Sequence, residues 1–136
     1  MPTDFSFQEG DQFRWERNIS ADDVQRFAEI VGDLNPVHLD AEYAEKSFFN
    51  KRIVHGAFLV GLISKVLGMD FPGQGTVYIS QNSLFKRPVY VDTTVSVEVK
   101  VTQVIPEKRR LVLDTNIFNS NGEVCVAGSA IVWLPR

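Results

Sequence analysis

The chain has 136 residues, of which 44% are apolar and 23% are charged; these proportions exclude a disordered chain, a collagen-like fibre and a coiled coil and predict one domain over residues 1–136. The formal net charge of −3 gives no global electrostatic reason to bind nucleic acid or an anionic membrane. The single cysteine, Cys125, excludes an internal disulfide. The sequence contains no apolar run long enough to predict a secretory signal or a membrane span. We therefore expect a cytoplasmic protein, or an organelle protein whose targeting signal the sequence does not show.

The first part of the chain predicts an edge strand and an amphipathic helix. The strand is expected over residues 13–19. Residues 20–31 predict the helix, because apolar side chains recur there at i, i+3, i+4 and i+7. Ser20 and Asp23 have the spacing of a capping box at its start. Gly32 is predicted to end it.

A loop and a buried helix are predicted next. The Asn-Pro dipeptide within residues 33–40 predicts a non-helical loop, since the residue before a proline avoids the helical region. Residues 41–46 are expected to form one short helical turn. Residues 55–67 are apolar nearly all round, which predicts a helix buried on every side and ended by Gly68.

The second half of the chain predicts four consecutive strands. Residues 94–104 alternate strictly between valines and polar side chains, as a half-buried antiparallel strand does. Further strands are predicted over residues 76–85, 110–118 and 124–134, with an Asn-Gly hairpin turn at residues 119–122. The economical solution is an α+β architecture in which an antiparallel sheet of about five strands wraps around a central buried helix. This arrangement resembles the hot-dog fold.

Asp33 and His38 are the residues best suited to acid–base chemistry. Both lie in the loop predicted after the first helix. An imidazole titrates near neutral pH, and a nearby carboxylate can fix its tautomer or activate a water. The spacing alone is not specific, because an aspartate that caps a turn and a histidine at the surface would give the same pattern.

The start of the buried helix is a second candidate site. A helix N-terminus presents free N–H groups, and Gly56 would let the oxygen of a thioester approach them closely. A glycine that only relieves crowding would look the same, and His55 before it is interpreted as structural. Ser64 lies about 12 Å further along the helix and is expected to hydrogen-bond a backbone carbonyl or Asp33.

Other kinds of site find little support in the sequence. Two histidines, one cysteine and scattered carboxylates show no recognisable metal-ligand spacing, so no metal is expected. The sequence contains no Gly-x-Ser-x-Gly, no P-loop and no Gly-x-Gly-x-x-Gly. Five basic residues flank the candidate loops and either meet the phosphates of a carrier such as coenzyme A or remain solvated: Lys46, Lys51, Arg52, Lys86 and Arg87.

Three segments stand out when they are taken together. They are Gly32-Asp-Leu-Asn-Pro-Val-His-Leu-Asp40, Ile53-Val-His-Gly56 and Phe85-Lys-Arg-Pro-Val-Tyr-Val-Asp92. Their order and separations resemble the MaoC-like family, in particular its short R-specific enoyl-CoA hydratases, over residues 9–134. Arg52 departs from the family pattern, which usually has proline or serine at that position.

The resemblance implies a single MaoC-like hot-dog domain that forms a homodimer. Such a protein hydrates trans-2-enoyl-CoA to R-3-hydroxyacyl-CoA, with the coenzyme A thioester as substrate and without a metal or redox cofactor. The match assigns the acid–base pair to Asp33 and His38 and the thioester oxygen to the Gly56 amide. It further suggests Ser64 and Asn35 as supporting residues.

Three alternatives stay open on the sequence. The nearest is dehydration of R-3-hydroxyacyl chains on acyl carrier protein, which is the same reaction reversed on another carrier. A hot-dog thioesterase would typically lack Asp-x-Asn-Pro-x-His beside Ile-Val-His-Gly. A non-catalytic acyl-binding subunit should have lost Asp33 or His38, and this chain has both.

Overall fold

The computed structural model describes residues 5–136, so the first four residues of the predicted domain lie outside the described residues. Its centre is one antiparallel sheet in the order β1-β3-β4-β5-β2, with β1 and β2 at the edges. The strands are β1 Gln12–Ile19, β2 Val77–Phe85, β3 Thr93–Ile105, β4 Arg110–Phe118 and β5 Val124–Trp133. The predicted sheet of about five strands is confirmed, and each strand end lies within one residue of its expected position.

The helices are α1 Ala21–Val31, α2 Pro36–Leu39, α3 Ala41–Glu45 and α4 Gly56–Lys65. A π-helical segment, Val66–Asp70, follows α4, and a 3₁₀ turn, Pro106–Lys108, joins β3 to β4. In the described residues, no helix has the length and apolar character needed to cross a membrane.

Helix α1 begins and ends as the sequence predicts. The Ser20 hydroxyl accepts a hydrogen bond from the Asp23 N–H at 3.1 Å, and the Asp23 carboxylate accepts one from the Ser20 N–H at 3.0 Å. Gly32 ends the helix with a left-handed φ of 83°. The buried stripe is shorter than expected, because Val31 is 54% exposed.

The predicted non-helical loop over residues 33–40 is wrong in its second half, where α2 forms. Pro36 occupies the first turn of that helix, and the Asn35 side chain accepts a hydrogen bond from the Val37 N–H at 3.2 Å. A proline at the first helical position and an asparagine cap before it favour a helix start. His38 therefore lies on a short helix rather than in a loop.

The predicted central helix is present, with two corrections. Gly68 does not end it, because the chain continues as the π-helical segment, closed by a 2.8 Å bond from the Phe71 N–H to the Val66 carbonyl. Nor is the helix buried on every side, since Ala57, Gly61 and Ser64 form an exposed face. Because these residues are small and uncharged, the sequence pattern did not mark them as a solvent-facing side of the helix. The single chain nevertheless leaves them uncovered.

The core lies between the sheet and α4. The alternation predicted for β3 is confirmed, because its alternate valines are buried under the helix: Val95, Val97, Val99 and Val101. Leu59, Leu62 and Ile63 of α4 are buried in the same cluster. A five-stranded antiparallel sheet wrapped around one helix is the hot-dog fold that the sequence predicts.

Candidate active site

Backbone hydrogen bonds bring the three segments that carry the family resemblance to one place. The Ile53 N–H donates to the Val37 carbonyl at 3.2 Å, which joins the second segment to the first. The Val54 N–H donates to the Val89 carbonyl at 2.8 Å, which joins the second segment to the third. The start of α4 consequently lies beside both α2 and the chain that follows β2.

His38 is buried at this junction, with 9% of its surface exposed, so it is not a surface histidine. Its Nδ1 lies 2.6 Å from the Ile53 carbonyl oxygen. A carbonyl only accepts, so Nδ1 carries the hydrogen and the neutral ring keeps its lone pair on Nε2. Helix α2 thus presents a histidine whose tautomer is suited to a base.

The surroundings of His38 favour this neutral form. Burial is the largest influence and lowers the pKa of the imidazole below its ordinary value. The Ile53 carbonyl and Asp33 oppose this effect, whereas the coulombic influence of His55 adds to it and lowers the pKa of His38 further. An imidazole with a lowered pKa can accept a proton across the neutral pH range.

Asp33 and His38, both predicted from the sequence, are brought together by a tight turn. The Asn35 N–H donates to the Asp33 carboxylate at 3.3 Å, and the Asn35 carbonyl accepts from the His38 N–H at 3.0 Å. The Asp33 side chain is exposed, which leaves its carboxylate open to water. The main chain of Asn35 therefore contacts the Asp33 carboxylate on one side and the His38 N–H on the other.

His55 contacts both members of this pair, which sequence reasoning missed. Its Nε2 lies 3.1 Å from the Asp33 carbonyl oxygen, and its ring stacks on that of His38 with centroids 3.7 Å apart. The flanking apolar residues of the second segment indicate a buried histidine. No local signal reveals the stack, because it depends on how α2 packs against the start of α4.

A cavity of about 590 Å³ opens beside His38 and Gly56. Most of its lining is apolar: Phe48, Phe49, Ile53, Val54, Leu59, Phe85, Pro88 and Val89. Lys86 and Arg87 complete the described lining. An apolar cavity with a few convergent polar groups is typical of a small-molecule site.

Gly56 is the first residue of α4, so its N–H has no acceptor within the helix. A Cβ at this position would lie 2.9 Å from Cε1 of the Phe85 ring, closer than side chains pack. A side chain at this position would have to displace the Phe85 ring, so relief of crowding, one of the two interpretations that the sequence leaves open, is present here. Gly56 itself lines the cavity together with His38.

Ser64 is exposed on α4, and within residues 5–136 no hydrogen bond joins it to Asp33. The structure thus does not bring Ser64 to the acid–base pair within one chain. Of the five basic residues, Lys86 and Arg87 line the cavity, whereas Lys51 and Arg52 line a different depression.

The fold also groups possible metal ligands that sequence spacing does not reveal. Ligand atoms of Asp33, His38 and His55 lie within 4.8 Å of one another. One nitrogen of each imidazole already lies against a backbone carbonyl, that of Ile53 or of Asp33. The expectation that no metal is used stays a prediction.

Comparisons with known proteins agree with the fold. The family model described as MaoC like domain matches residues 5–120. The chain is 45% identical to the 3-hydroxybutyryl-CoA dehydratase of Methylorubrum extorquens over 89% of this chain and 76% of that protein. It is 39% identical to the (R)-specific enoyl-CoA hydratase of Aeromonas caviae over 96% of this chain and 97% of that protein. The solved structure of an (R)-hydratase from A. caviae involved in PHA biosynthesis superposes with a TM-score of 0.93 at 39% identity, covering 96% of this chain and 98% of that chain.

Proposed function

Because this chain belongs to the MaoC-like domain family, we propose that it is a hydro-lyase that hydrates trans-2-enoyl-CoA to R-3-hydroxyacyl-CoA, reversibly. One observation carries the proposal. A buried His38, with its Nδ1 on the Ile53 carbonyl and its Nε2 left as a base, lies next to Asp33 at the wall of an apolar cavity. That arrangement combines proton transfer with room for an acyl chain.

The proposed reaction needs three tasks from the protein. Asp33 and His38 hold one water; its oxygen bonds to the β-carbon of the enoyl thioester, and the pair takes up the proton released. The same pair delivers a proton to the α-carbon, so the sum of the steps is the addition of one water. Negative charge develops on the thioester oxygen meanwhile, and the Gly56 N–H stabilises it.

Coenzyme A is the carrier that we propose, with acyl carrier protein as the alternative. Both relatives reported above are named for coenzyme A thioesters. Lys86 and Arg87 in the cavity lining offer positive charge to the phosphates of such a carrier. Arg87 also lies 3.6 Å from Glu123, which leaves Lys86 as the more available of the two for a phosphate.

Hydration by this chemistry requires no redox cofactor, because the addition of water changes no net oxidation state, and we propose that it uses no metal, because Asp33, His38 and the Gly56 N–H supply the proton transfers and the charge stabilisation. Purified protein should therefore consume crotonyl-CoA without additions, and EDTA should leave the rate unchanged. The loss of enoyl absorbance measures turnover, and crotonyl-[acyl-carrier protein] at the same concentration tests the alternative carrier. Loss of activity in EDTA that a divalent ion restores would contradict the metal-free mechanism. Faster turnover of the acyl-carrier-protein substrate would favour the alternative dehydratase function.

A homodimer forms part of the proposal, because the single chain leaves one side uncovered. Strand β2 is an edge strand, so the backbone N–H and C=O groups on its outer side can pair with another strand. It carries exposed apolar side chains: Val77, Ile79, Leu84 and Phe85. The small-residue face of α4, defined by Ala57, Gly61 and Ser64, is exposed as well. A supporting role for Ser64 beside Asp33 would need the second copy.

Replacement of Gly61 by Glu should convert the dimer to a folded monomer. A Cβ at Gly61 meets nothing within 4 Å in the single chain, and loss of a mid-helix glycine favours the helix by roughly 0.5–1 kcal/mol. Light scattering at low micromolar concentration measures the mass. Ala41→Glu adds the same charge to exposed helix surface elsewhere and should stay dimeric. A wild-type protein that is an active 15.3 kDa monomer would contradict the dimer.

A further inference from the structure

His55 touches both members of the proposed acid–base pair, although the mechanism above gives it no step. Its side chain is buried, with 2% exposure. The described lining of the cavity includes His38 and Gly56 but not His55, so this ring does not meet a ligand there. Any influence of His55 on the reaction must pass through its neighbours.

The first neighbour is the main chain of Asp33. The Asp33 carbonyl accepts the hydrogen bond from His55 at 3.1 Å, and therefore the neutral His55 ring carries its hydrogen on Nε2. His55 immediately precedes α4. The bond thus ties the turn that carries the Asp33 carboxylate to the start of the central helix.

The second neighbour is the ring of His38. The two imidazoles stack with centroids 3.7 Å apart and an interplanar angle of 23°. Phe27 of α1 packs edge-on against His55 at 5.0 Å, which holds the His55 ring in place. His38 is therefore fixed in its plane by the Ile53 carbonyl and across its plane by His55.

The second ring nitrogen of His55 indicates that this residue does more than fill space in the core. Its Nδ1 is buried and has no hydrogen-bond partner among the described residues. Burying an unpaired polar atom costs free energy, a cost that phenylalanine or leucine in the same space would not incur. The features that only histidine supplies here are a flat ring together with a donor at Nε2.

We propose that His55 is a positioning residue that sets the distance between the Asp33 carboxylate and the Nε2 of His38, where the attacking water is held. The inference rests on the proposed function and extends it to a residue that does not touch the substrate. Misplacement of a reacting group by about 1 Å can cost about 10²-fold in rate, so loss of the positioning contacts of His55 should have a measurable effect on kcat.

The test compares three substitutions of His55. His55→Phe keeps a ring that can stack on His38 but lacks the donor to Asp33. In His55→Gln the amide nitrogen takes the place of Nε2 and can reach the Asp33 carbonyl. His55→Asn is the matched control, because its shorter side chain places the nitrogen near Nδ1 and out of reach of that carbonyl. Circular dichroism and thermal unfolding report the folded fraction of each variant.

The expected result is a loss in kcat of about 10- to 100-fold for His55→Phe and His55→Asn, with KM changed less than about threefold. His55→Gln should recover at least about tenfold of that loss relative to His55→Asn. If His55→Phe does not fold, the ratio between the Gln and Asn variants decides alone. Equal kcat values for those two variants would overturn the inference, as would a folded His55→Phe within threefold of the wild-type kcat.

The pH dependence of kcat/KM gives a second readout, through its acid limb, where activity falls as the pH is lowered. The ionisable groups that face His38 are Asp33 after α1, His55 before α4, and Lys86 and Arg87 across the cavity. His38 acts as a base only when neutral, so activity falls as the pH drops through its pKa. The coulombic influence of His55 lowers the pKa of His38, so the two variants that replace His55 by a neutral amide, His55→Gln and His55→Asn, should move the limb to higher pH. A limb that moves in neither variant would contradict an influence of His55 on His38. Failure of the wild-type protein to hydrate crotonyl-CoA would instead refute the proposed function.

Discussion

Asp33→Asn should lower kcat for the hydration of crotonyl-CoA by at least about 10²-fold, the low end for loss of a general acid or base. Asparagine is nearly isosteric with aspartate, and its side-chain oxygen can still accept from the Asn35 N–H. The Asp33 carbonyl that holds His55 is unchanged. The fold should therefore survive while the proton acceptor is lost.

Steady-state rates and circular dichroism on the same samples measure this effect. Asp40→Asn is the matched control, because Asp40 belongs to the same segment and caps α3 with an oxygen that asparagine also has. That variant should keep kcat within about threefold of the wild type. A well-folded Asp33→Asn enzyme with a similar kcat would leave the acid–base assignment untenable.

His38→Ala should cost at least about 10²-fold in kcat as well, because the water then loses its second proton-handling partner. The burial of His38 makes alanine a poor probe on its own, since removing a buried side chain also lowers the free energy of unfolding. His38→Asn can still donate to the Ile53 carbonyl while it lacks Nε2, and so separates catalysis from stability. Both variants should lose activity.

The double variant Asp33→Asn/His38→Ala tests whether the two residues act as a unit. Catalytic groups that work on one water are strongly non-additive, so the double variant should be little slower than either single variant. The rates are compared per folded molecule, with unfolding midpoints as the control. Single losses that multiply in the double variant would show that Asp33 and His38 act independently.

The elements that could be predicted from the sequence are those that local chemistry determines. The Ser20–Asp23 capping box lies within one turn of α1, and the valine alternation of β3 needs only the two-residue period of a strand. Helix α2 was missed because Asn-Pro serves both as a turn signal and as a helix start. A contact from outside the segment, the hydrogen bond from the Ile53 N–H to the Val37 carbonyl, accompanies the helical outcome.

The proximity of the two proposed acid–base residues could be predicted from the sequence, but the contacts around them could not. Asp33 and His38 carry the right chemistry and lie five positions apart, so their proximity follows from the turn at Asn35. The stack joins His38 of α2 to His55, which lies just before α4, and no periodicity encodes it. The exposed face of α4 was missed because glycine, alanine and serine give no polar stripe. We propose that this face contacts a second copy of the chain, and the hydrophobic pattern of one sequence does not reveal such a contact.

The chirality of the hydration product tests the central claim most directly. Crotonyl-CoA is converted by the wild-type protein, the thioester is hydrolysed, and the enantiomers of 3-hydroxybutyrate are separated by chiral chromatography. One fixed pair, Asp33 and His38, delivers water to one face of the double bond, and the proposed function requires the R product alone. An S product, or a racemic one formed at the enzymatic rate, would contradict the account.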